Sequence, residues 1–322
     1  MNPWSPTSPC DPGCLPAPEP VHGRARAMRV ARVGVRGTAL AAVLVAGLAL
    51  ALVVPLLRPA AVGRAQQVWA AAVLGACGVR VRRSGPPAPP GALVVANHVS
   101  WLDVLALNAV APVRMLAKHE VRQWPVLGVM AACAGTVFLD RDRLRALPDA
   151  VGGLADALRA GTPVGVFAEG TTRCGRELGP FRPAAFQAAH DAGAPVLPVA
   201  MRYGRWGPHG VTHTTAGTTA GTTPDTTPDT TAAFIGDDTL ADSLRRVLAV
   251  RGLVVHVVAC PVVDPRTVPA GPARADARRA LARTSAAAVA AALPPGRGGH
   301  PAAAPPHPVS ALPTTPDLEH VA

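Results

Sequence analysis

Aromatic residues make up only 3% of this 322-residue chain, charged residues only 16%, and lysine occurs once, at Lys118, so nearly all of the 31 Lys+Arg are arginine. With so few aromatics, and with no zinc-finger spacing or RNP-type strand, the net charge of +11 does not describe a nucleic-acid reader. It suits a membrane surface or an anionic substrate, and with the Ala, Pro and Gly excess it also carries the mark of a GC-rich coding bias. The six cysteines, Cys10, Cys14, Cys77, Cys133, Cys174 and Cys260, include no C-x-x-C pair. They read as reduced thiols of a cytoplasm-facing protein, and Cys10 and Cys14, in a proline-rich tail, give only a weak signal for a zinc or disulfide role. No G-x-S-x-G elbow is present, which argues against a protein nucleophile of the serine-hydrolase kind. What the chain does hold is apolar material, 49% of residues at a mean hydropathy of +0.26, enough for a sizeable core and some membrane contact.

Proline marks the ends. Seven prolines fall by Pro20 and eight between Pro294 and Pro316, so residues 1–36 predict a disordered basic tail and 294–322 a second disordered tail. Arg24, Arg26, Arg29, Arg32 and Arg36 precede Thr38–Leu57, twenty residues without a charge and long enough to reach ~30 Å as helix. A shorter apolar stretch, Val68–Val79, reaches only ~18 Å. Residues 37–83 therefore read as membrane-associated helices. Beyond the proline-rich turn at 84–91, strand runs (92–97, 112–118, 135–140, 163–169, 196–202, 253–260) alternate with helical patterns (101–110, 143–159, 183–192, 240–250). That alternation predicts an α/β domain over 84–293, a mixed and largely parallel sheet flanked by helices. Pro198 suggests an edge strand or a bend lining a site. The Thr-rich repeat at 212–231 predicts a disordered insert, and 274–293 an Ala-rich helix.

Three segments carry chemistry. In Asn97-His98-Val99-Ser100-Trp101-Leu102-Asp103 a strand gives way to a helix, with Ser100 placed to cap it. Asp103, in the first turns, can reach back to His98, and a carboxylate-oriented imidazole can take a proton from a hydroxyl. With no protein nucleophile in sight, that hydroxyl belongs to the substrate. The same residues could be a structural His and a capping Asp; a zinc site would need a third ligand not found nearby. In Phe167-Ala168-Glu169-Gly170-Thr171-Thr172-Arg173 a strand runs into a turn at the end of a sheet, where ligands bind and amides can meet phosphate or an oxyanion. In Gly135–Arg143 a strand ends in Arg141 and Arg143, and arginine suits phosphate.

Taken in order with Val196–Met201, these blocks resemble those of the PlsC-type glycerolipid acyltransferase superfamily, which includes the 1-acylglycerol-3-phosphate acyltransferases. N-H-x-S-x-x-D is matched by Asn97, His98, Ser100 and Asp103; G-x-[IV]-F-[IL]-D-R by Gly135–Arg141; F-P-E-G-T-R-S by Phe167, Glu169, Gly170 and Thr171; the V-P-V block by Leu197–Met201. Ala168 stands where the family has Pro, and Thr172 where it has Arg, which shifts the phosphate-binding expectation to Arg141.

The resemblance implies a membrane-associated O-acyltransferase. His98 is its base and Asp103 orients it; Arg141, Glu169, Gly170 and Thr171 bind substrate. The donor is acyl-CoA or acyl carrier protein, the acceptor a lysophospholipid, and no metal or bound cofactor is required. The leading acceptor is 1-acylglycerol-3-phosphate, giving phosphatidic acid. Another lysolipid such as a lyso-ornithine lipid, a thioesterase, and a non-catalytic lipid-binding protein on the same fold stay open. Arginines before Thr38 place the N-terminus in the cytoplasm. Because Val68–Val79 is too short to return across a bilayer, a non-spanning hairpin in the cytoplasmic leaflet of the inner membrane is expected, with the catalytic domain facing the cytoplasm.

Overall fold

The computed structural model describes residues 8–17, 20–124, 127–139, 147–207, 210–212, 228–269, 271 and 273–294. In chain order the elements are helix α1 (Gly23–Val53), α2 (Pro59–Ala76), strands β1 (Arg80–Ser84) and β2 (Leu93–Ala96), α3 (Leu102–Val110), β3 (Arg114–Lys118), α4 (Leu127–Cys133), β4 (Val137–Leu139), α5 (Leu147–Arg159), β5 (Val164–Phe167), α6 (Ala184–Ala192), β6 (Val196–Gly207), β7 (Gly210–Thr212), α7 (Leu240–Ala249), β8 (Leu253–Ala259) and α8 (Arg274–Ala292). One sheet runs β1-β8-β6-β2-β5-β3-β4, with β7 added to β6. All pairings are parallel except β6 with β7 and β6 with β8. The expected mixed, largely parallel sheet is what the chain builds.

The central strand β2 is buried along its whole length, as its unbroken Leu-Val-Val-Ala run requires when both faces are covered. Two apolar layers result. One packs Leu102, Ala106 and Leu107 of α3 with α2 and α7 residues on one face; the other packs α5, α6 and α8 on the opposite face. Asn97, just past β2, mimics a backbone pair: its Oδ1 accepts from Met201 N–H (2.8 Å) and its Nδ2 donates to the Met201 carbonyl (3.1 Å). The C-terminal end of β2 is thereby fixed against β6, and the segment that carries His98 and Asp103 starts from a rigid point.

Several expectations are corrected. Residues 80–84 are not the end of a membrane segment; they form β1, paired in parallel with β8. Pro198 lies inside β6 between β2 and β8, not at an edge, and its carbonyl still accepts from Cys260 N–H (2.9 Å). Residues 1–36 are not a disordered tail throughout: α1 starts at Gly23, and Cys10 and Cys14 are buried in the core. Residues 228–231, assigned to the insert, are also ordered. Asp229, Thr230 and Thr231 are buried, Asp229 pairs with Arg205, and Arg246 donates to the Thr231 carbonyl (2.9 Å). The rest of the insert, 213–227, lies outside the described residues, as do 1–7 and 295–322.

Both apolar N-terminal helices return to the same domain. Arg36 of α1 donates to the Leu248 (2.9 Å) and Val250 (2.6 Å) carbonyls, and Arg32 to the Ala249 carbonyl (2.6 Å), so two cations cap the C-terminus of α7 where the helix dipole favours them. Helix α2 spans 18 residues, longer than the Val68–Val79 run, because the polar Gln66 and Gln67 take part. Gln66 donates to Asn108 Oδ1 (2.7 Å), and Gln67 to the carbonyls of Ala109 and Val110 at the end of α3. The two helices touch at Gly47, where a Cβ would sit 2.3 Å from Trp69 Nε1. Glycine there lets Trp69 donate to the Val43 carbonyl (3.1 Å). Among the described residues, α1 is the one helix long and apolar enough to cross a membrane.

Candidate active site

His98 follows the last residues of β2, and Asp103 lies in the first turn of α3. The turn between them brings Asp103 Oδ2 to 3.0 Å from His98 Nδ1. The same oxygen accepts the N–H groups of Val99 (2.7 Å) and Ser100 (2.8 Å), while Oδ1 accepts the Tyr203 hydroxyl from β6. Asp103 is wholly buried, and these four donors replace the water it lost. Ser100 contributes less as a cap than its position suggested: its hydroxyl accepts Leu102 N–H at 3.3 Å. Burial first, and then the Asp103 charge, holds the Tyr203 phenol well above its ordinary pKa, so it stays a donor. An anionic acceptor at Nδ1 fixes the proton there and leaves Nε2 as the basic nitrogen. The imidazole stacks flat on Phe167, centroids 3.8 Å apart and planes within 6°, and keeps 19% of its side chain exposed.

Glu169, expected to bind substrate, is turned toward the backbone. Its Oε2 accepts His98 N–H (2.7 Å) and its Oε1 accepts Gly179 N–H (2.6 Å), and only 5% of the residue is exposed. Burial, the largest influence, raises its pKa, against the pull of both amides and of Arg173. The His98 carbonyl accepts Arg173 N–H (2.7 Å). The backbone of His98 is thus held on both sides by the segment after β5, and Glu169 fixes His98 without lining the cavity beyond it. Gly170 makes this turn possible: its φ of +77° is left-handed, and its N–H closes onto the Phe167 carbonyl (3.1 Å).

His98 opens into a cavity of about 1310 Å³ between the α1–α2 pair and the α/β domain. Its walls are mainly apolar, among them Leu44, Leu48, Trp69 and Leu105; Gly170, Thr171 and Thr172 form the rim beside the base, and Lys118 and Arg182 add cations. The structure therefore brings together His98, Asp103, Gly170 and Thr171 as expected and moves Glu169 behind them. Arg141 lies outside the described residues. Tyr203, Lys118 and Arg182 were missed. Two of them left a trace in the sequence: Tyr203 is the only tyrosine, two residues beyond the fourth block, and Lys118 is the only lysine.

Residues 79–202 match the family model described as Acyltransferase. The 1-acyl-sn-glycerol-3-phosphate acyltransferase of Neisseria gonorrhoeae is 48% identical over 126 residues, 39% of this chain and 49% of that protein. The lyso-ornithine lipid O-acyltransferase of Pseudomonas aeruginosa is 36% identical over 191 residues, 59% of this chain and 66% of that protein. The chain thus spans about half the length of the Neisseria relative it matches. The crystal structure of the 1-acyl-sn-glycerophosphate acyltransferase PlsC from Thermotoga maritima superposes with a TM-score of 0.55 at 20% identity, over 83% of this chain and 97% of that one, and so shares the fold. Residues 79–202 belong to the acyltransferase family, carried here on a PlsC-like fold.

Proposed function

We propose that this protein transfers a fatty acyl group from a thioester, acyl-CoA or acyl carrier protein, to the free hydroxyl of a lysophospholipid, with 1-acylglycerol-3-phosphate as the leading acceptor. The observation that carries the reading is a carboxylate-oriented imidazole opening into an apolar cavity of about 1310 Å³. A lipid-binding protein needs such a cavity but has no use for a base held from several sides at once. His98 Nε2 takes the proton from the acceptor hydroxyl as its oxygen attacks the thioester carbonyl. Asp103 stabilises the imidazolium that forms. The tetrahedral intermediate collapses with cleavage of the C–S bond, and the imidazolium returns the proton to the departing thiolate. The apolar wall takes the acyl chain, while Thr171 and Thr172 stand beside the reacting atoms. Lys118, Arg182 and Arg141 are the cations for an anionic headgroup.

A second acceptor is supported by the lyso-ornithine lipid relative, whose match runs over a longer stretch of the chain. Purified protein with labelled acyl-CoA and with acyl carrier protein thioester, offered lysophosphatidic acid and lyso-ornithine lipid in turn, tests the reading. Acylated lipid from one acceptor identifies the substrate. Free acid alone means a thioesterase, and no turnover in any pairing overturns the enzymatic reading.

We place the protein on the cytoplasmic face of the inner membrane with α1 and α2 as a hairpin that does not cross. Both helices are hydrogen-bonded to the α/β domain, α1 through Arg32 and Arg36 and α2 through Gln66 and Gln67. The chain leaves the domain and comes back to it on one side of the bilayer. Leu52, Val53 and Leu56, exposed at the turn between the two helices, are the ones to enter the lipid. A lysolipid can then reach the cavity from the leaflet in which the hairpin lies.

A further inference from the structure

Away from the cavity, three cysteines converge. The sulfurs of Cys10, Cys14 and Cys174 lie within 4.8 Å of one another, and all three residues are buried. They come from distant parts of the chain: two from a proline-rich segment with no apolar periodicity, one from the loop that follows Glu169. That segment is nonetheless built. Asp11 caps a short 3-10 turn over Pro12–Cys14 by accepting Gly13 N–H (2.8 Å), which turns Cys10 and Cys14 toward the same point. Cys174 N–H donates to Cys10 Sγ (3.3 Å), and Arg176 donates to the Cys14 carbonyl (3.4 Å).

We propose that Cys10, Cys14 and Cys174 bind a thiophilic divalent cation of the zinc class, as a structural centre that ties the N-terminal segment to the loop bracing His98. Tetrahedral zinc with Zn–S bonds of ~2.3 Å holds its sulfurs ~3.8 Å apart, so the cluster needs to contract by no more than about 1 Å. Three thiolates around a dication leave one negative charge, and Arg173 and Arg176 flank Cys174 to balance it. No fourth side-chain ligand joins the group among the described residues, so water or a small anion completes the shell. The centre is not part of the acyl-transfer chemistry, because none of the three cysteines lines the large cavity. Its reach is mechanical: Arg173 N–H holds the His98 carbonyl, and Gly175 lies against Val99, where a Cβ would come within 3.3 Å of a methyl group. In a reducing compartment the thiols remain available to a metal, which favours coordination over a disulfide.

The test uses the full-length protein, purified under reducing conditions from zinc-supplemented cells. Elemental analysis is expected to give one zinc per chain, falling to background in Cys174→Ser and in Cys10→Ser/Cys14→Ser. Because those variants can lose metal by misfolding, the wild-type protein is also stripped and titrated with Co²⁺. Thiolate-to-cobalt charge-transfer bands together with tetrahedral d–d absorption, saturating at one equivalent, support the site. Alkylation mapping should find Cys10, Cys14 and Cys174 protected in the loaded protein and reactive in the stripped one. The proposal is overturned if freshly purified and cobalt-titrated wild type both lack bound metal. Metal retained when all three are Ser, or a disulfide among them in the protein as isolated, would overturn it equally.

Discussion

Replacing Asp103 with Asn separates two functions that a carboxylate beside a histidine combines, proton placement and charge. The structure says which survives. Oδ2 accepts three N–H groups, from His98, Val99 and Ser100, whereas Oδ1 accepts only the Tyr203 hydroxyl. An amide nitrogen at the Oδ2 position would face two backbone donors. The substituted side chain must therefore put its carbonyl there and its NH₂ toward Tyr203, whose hydroxyl can turn to accept. The proton then stays on Nδ1, and only the negative charge is lost. A charge-assisted hydrogen bond contributes about 1–2 kcal/mol more than a neutral one, a lower bound on the loss. The bare Coulomb attraction at the observed 3.0 Å, with an effective dielectric near 20, gives an upper bound of ~5.5 kcal/mol. A fall in kcat of about 10²-fold, or ~2.7 kcal/mol, lies between them. This is well short of the ~10⁴-fold loss that follows when an amide sets the wrong tautomer in a serine-protease triad. Initial rates at saturating donor and acceptor, with thermal melts to confirm folding, measure it. A loss of ~10⁴-fold or more in a folded protein would mean that the tautomer is not held by the backbone amides. A loss within about 3-fold, under ~0.7 kcal/mol, would mean that Asp103 is a cap and nothing more.

Four further outcomes are expected. His98→Ala should lower kcat by at least ~10²-fold, the usual contribution of a general base, with little change in melting temperature; retention of a tenth of the rate would remove His98 from that role. Glu169→Gln leaves either His98 N–H or Gly179 N–H facing an amide NH₂, at a cost of about 1–3 kcal/mol, and should lower kcat more than it raises either KM. Burial raises the Glu169 pKa, so the folded state holds its proton more tightly; wild-type stability should decline as pH climbs from the unfolded carboxyl value to the folded one, and urea titrations should find that slope reduced in the variant. Replacing 213–227 with a short Gly-Ser linker should leave activity within a few-fold, because Thr212 and Asp229 both meet Arg205 and the gap is short, whereas deleting 212–231 should destabilise the protein by removing Asp229. For topology, a cysteine introduced by Ala60→Cys or by Pro90→Cys, with Cys133→Ser and the buried native cysteines kept, should resist a membrane-impermeant thiol reagent in intact cells and react in lysed ones; labelling of position 60 from outside would refute the hairpin.

The strands and helices of the α/β domain were legible because their signals are local. An unbroken Leu-Val-Val-Ala run can be stable only where both faces are covered, and β2 sits at the centre of the sheet accordingly. His98 and Asp103 were legible for the same reason, five residues apart across one strand-to-helix turn. Strand β1 was not: Arg-Val-Arg-Arg-Ser has neither alternation nor a hydrophobic run. Its exposed arginines become intelligible only beside Trp206, over whose ring Arg80 and Arg82 lie at 5.4 and 5.3 Å. An edge strand can be polar on both faces provided that one side of its backbone is paired.

What stayed hidden depends on contacts between residues far apart in sequence. Tyr203 lies 100 residues from the carboxylate it serves, and Glu169 lies 71 from the amide it holds. In both cases the residue type was visible and the partner was not, so Glu169 read as a ligand-binding acid at a strand end. The structure turns it inward because His98 N–H and the N–H of Gly179 would otherwise be buried without an acceptor. The ordered end of the Thr-rich insert follows the same rule. Nothing in Asp229-Thr230-Thr231 marks it as interior, yet Phe234 N–H donates to the Val99 carbonyl (2.9 Å) within the catalytic turn, and that bond requires the preceding residues to lie against the domain. The turn at 97–103 is therefore enclosed by three segments, 169–179, 201–203 and 229–234, each holding a backbone or carboxylate group of those residues. His98 is held by hydrogen bonds from Glu169, Arg173 and Asp103 and by the Phe167 ring stacked against it, so the proposed base is fixed without help from the apolar wall of α1 and α2.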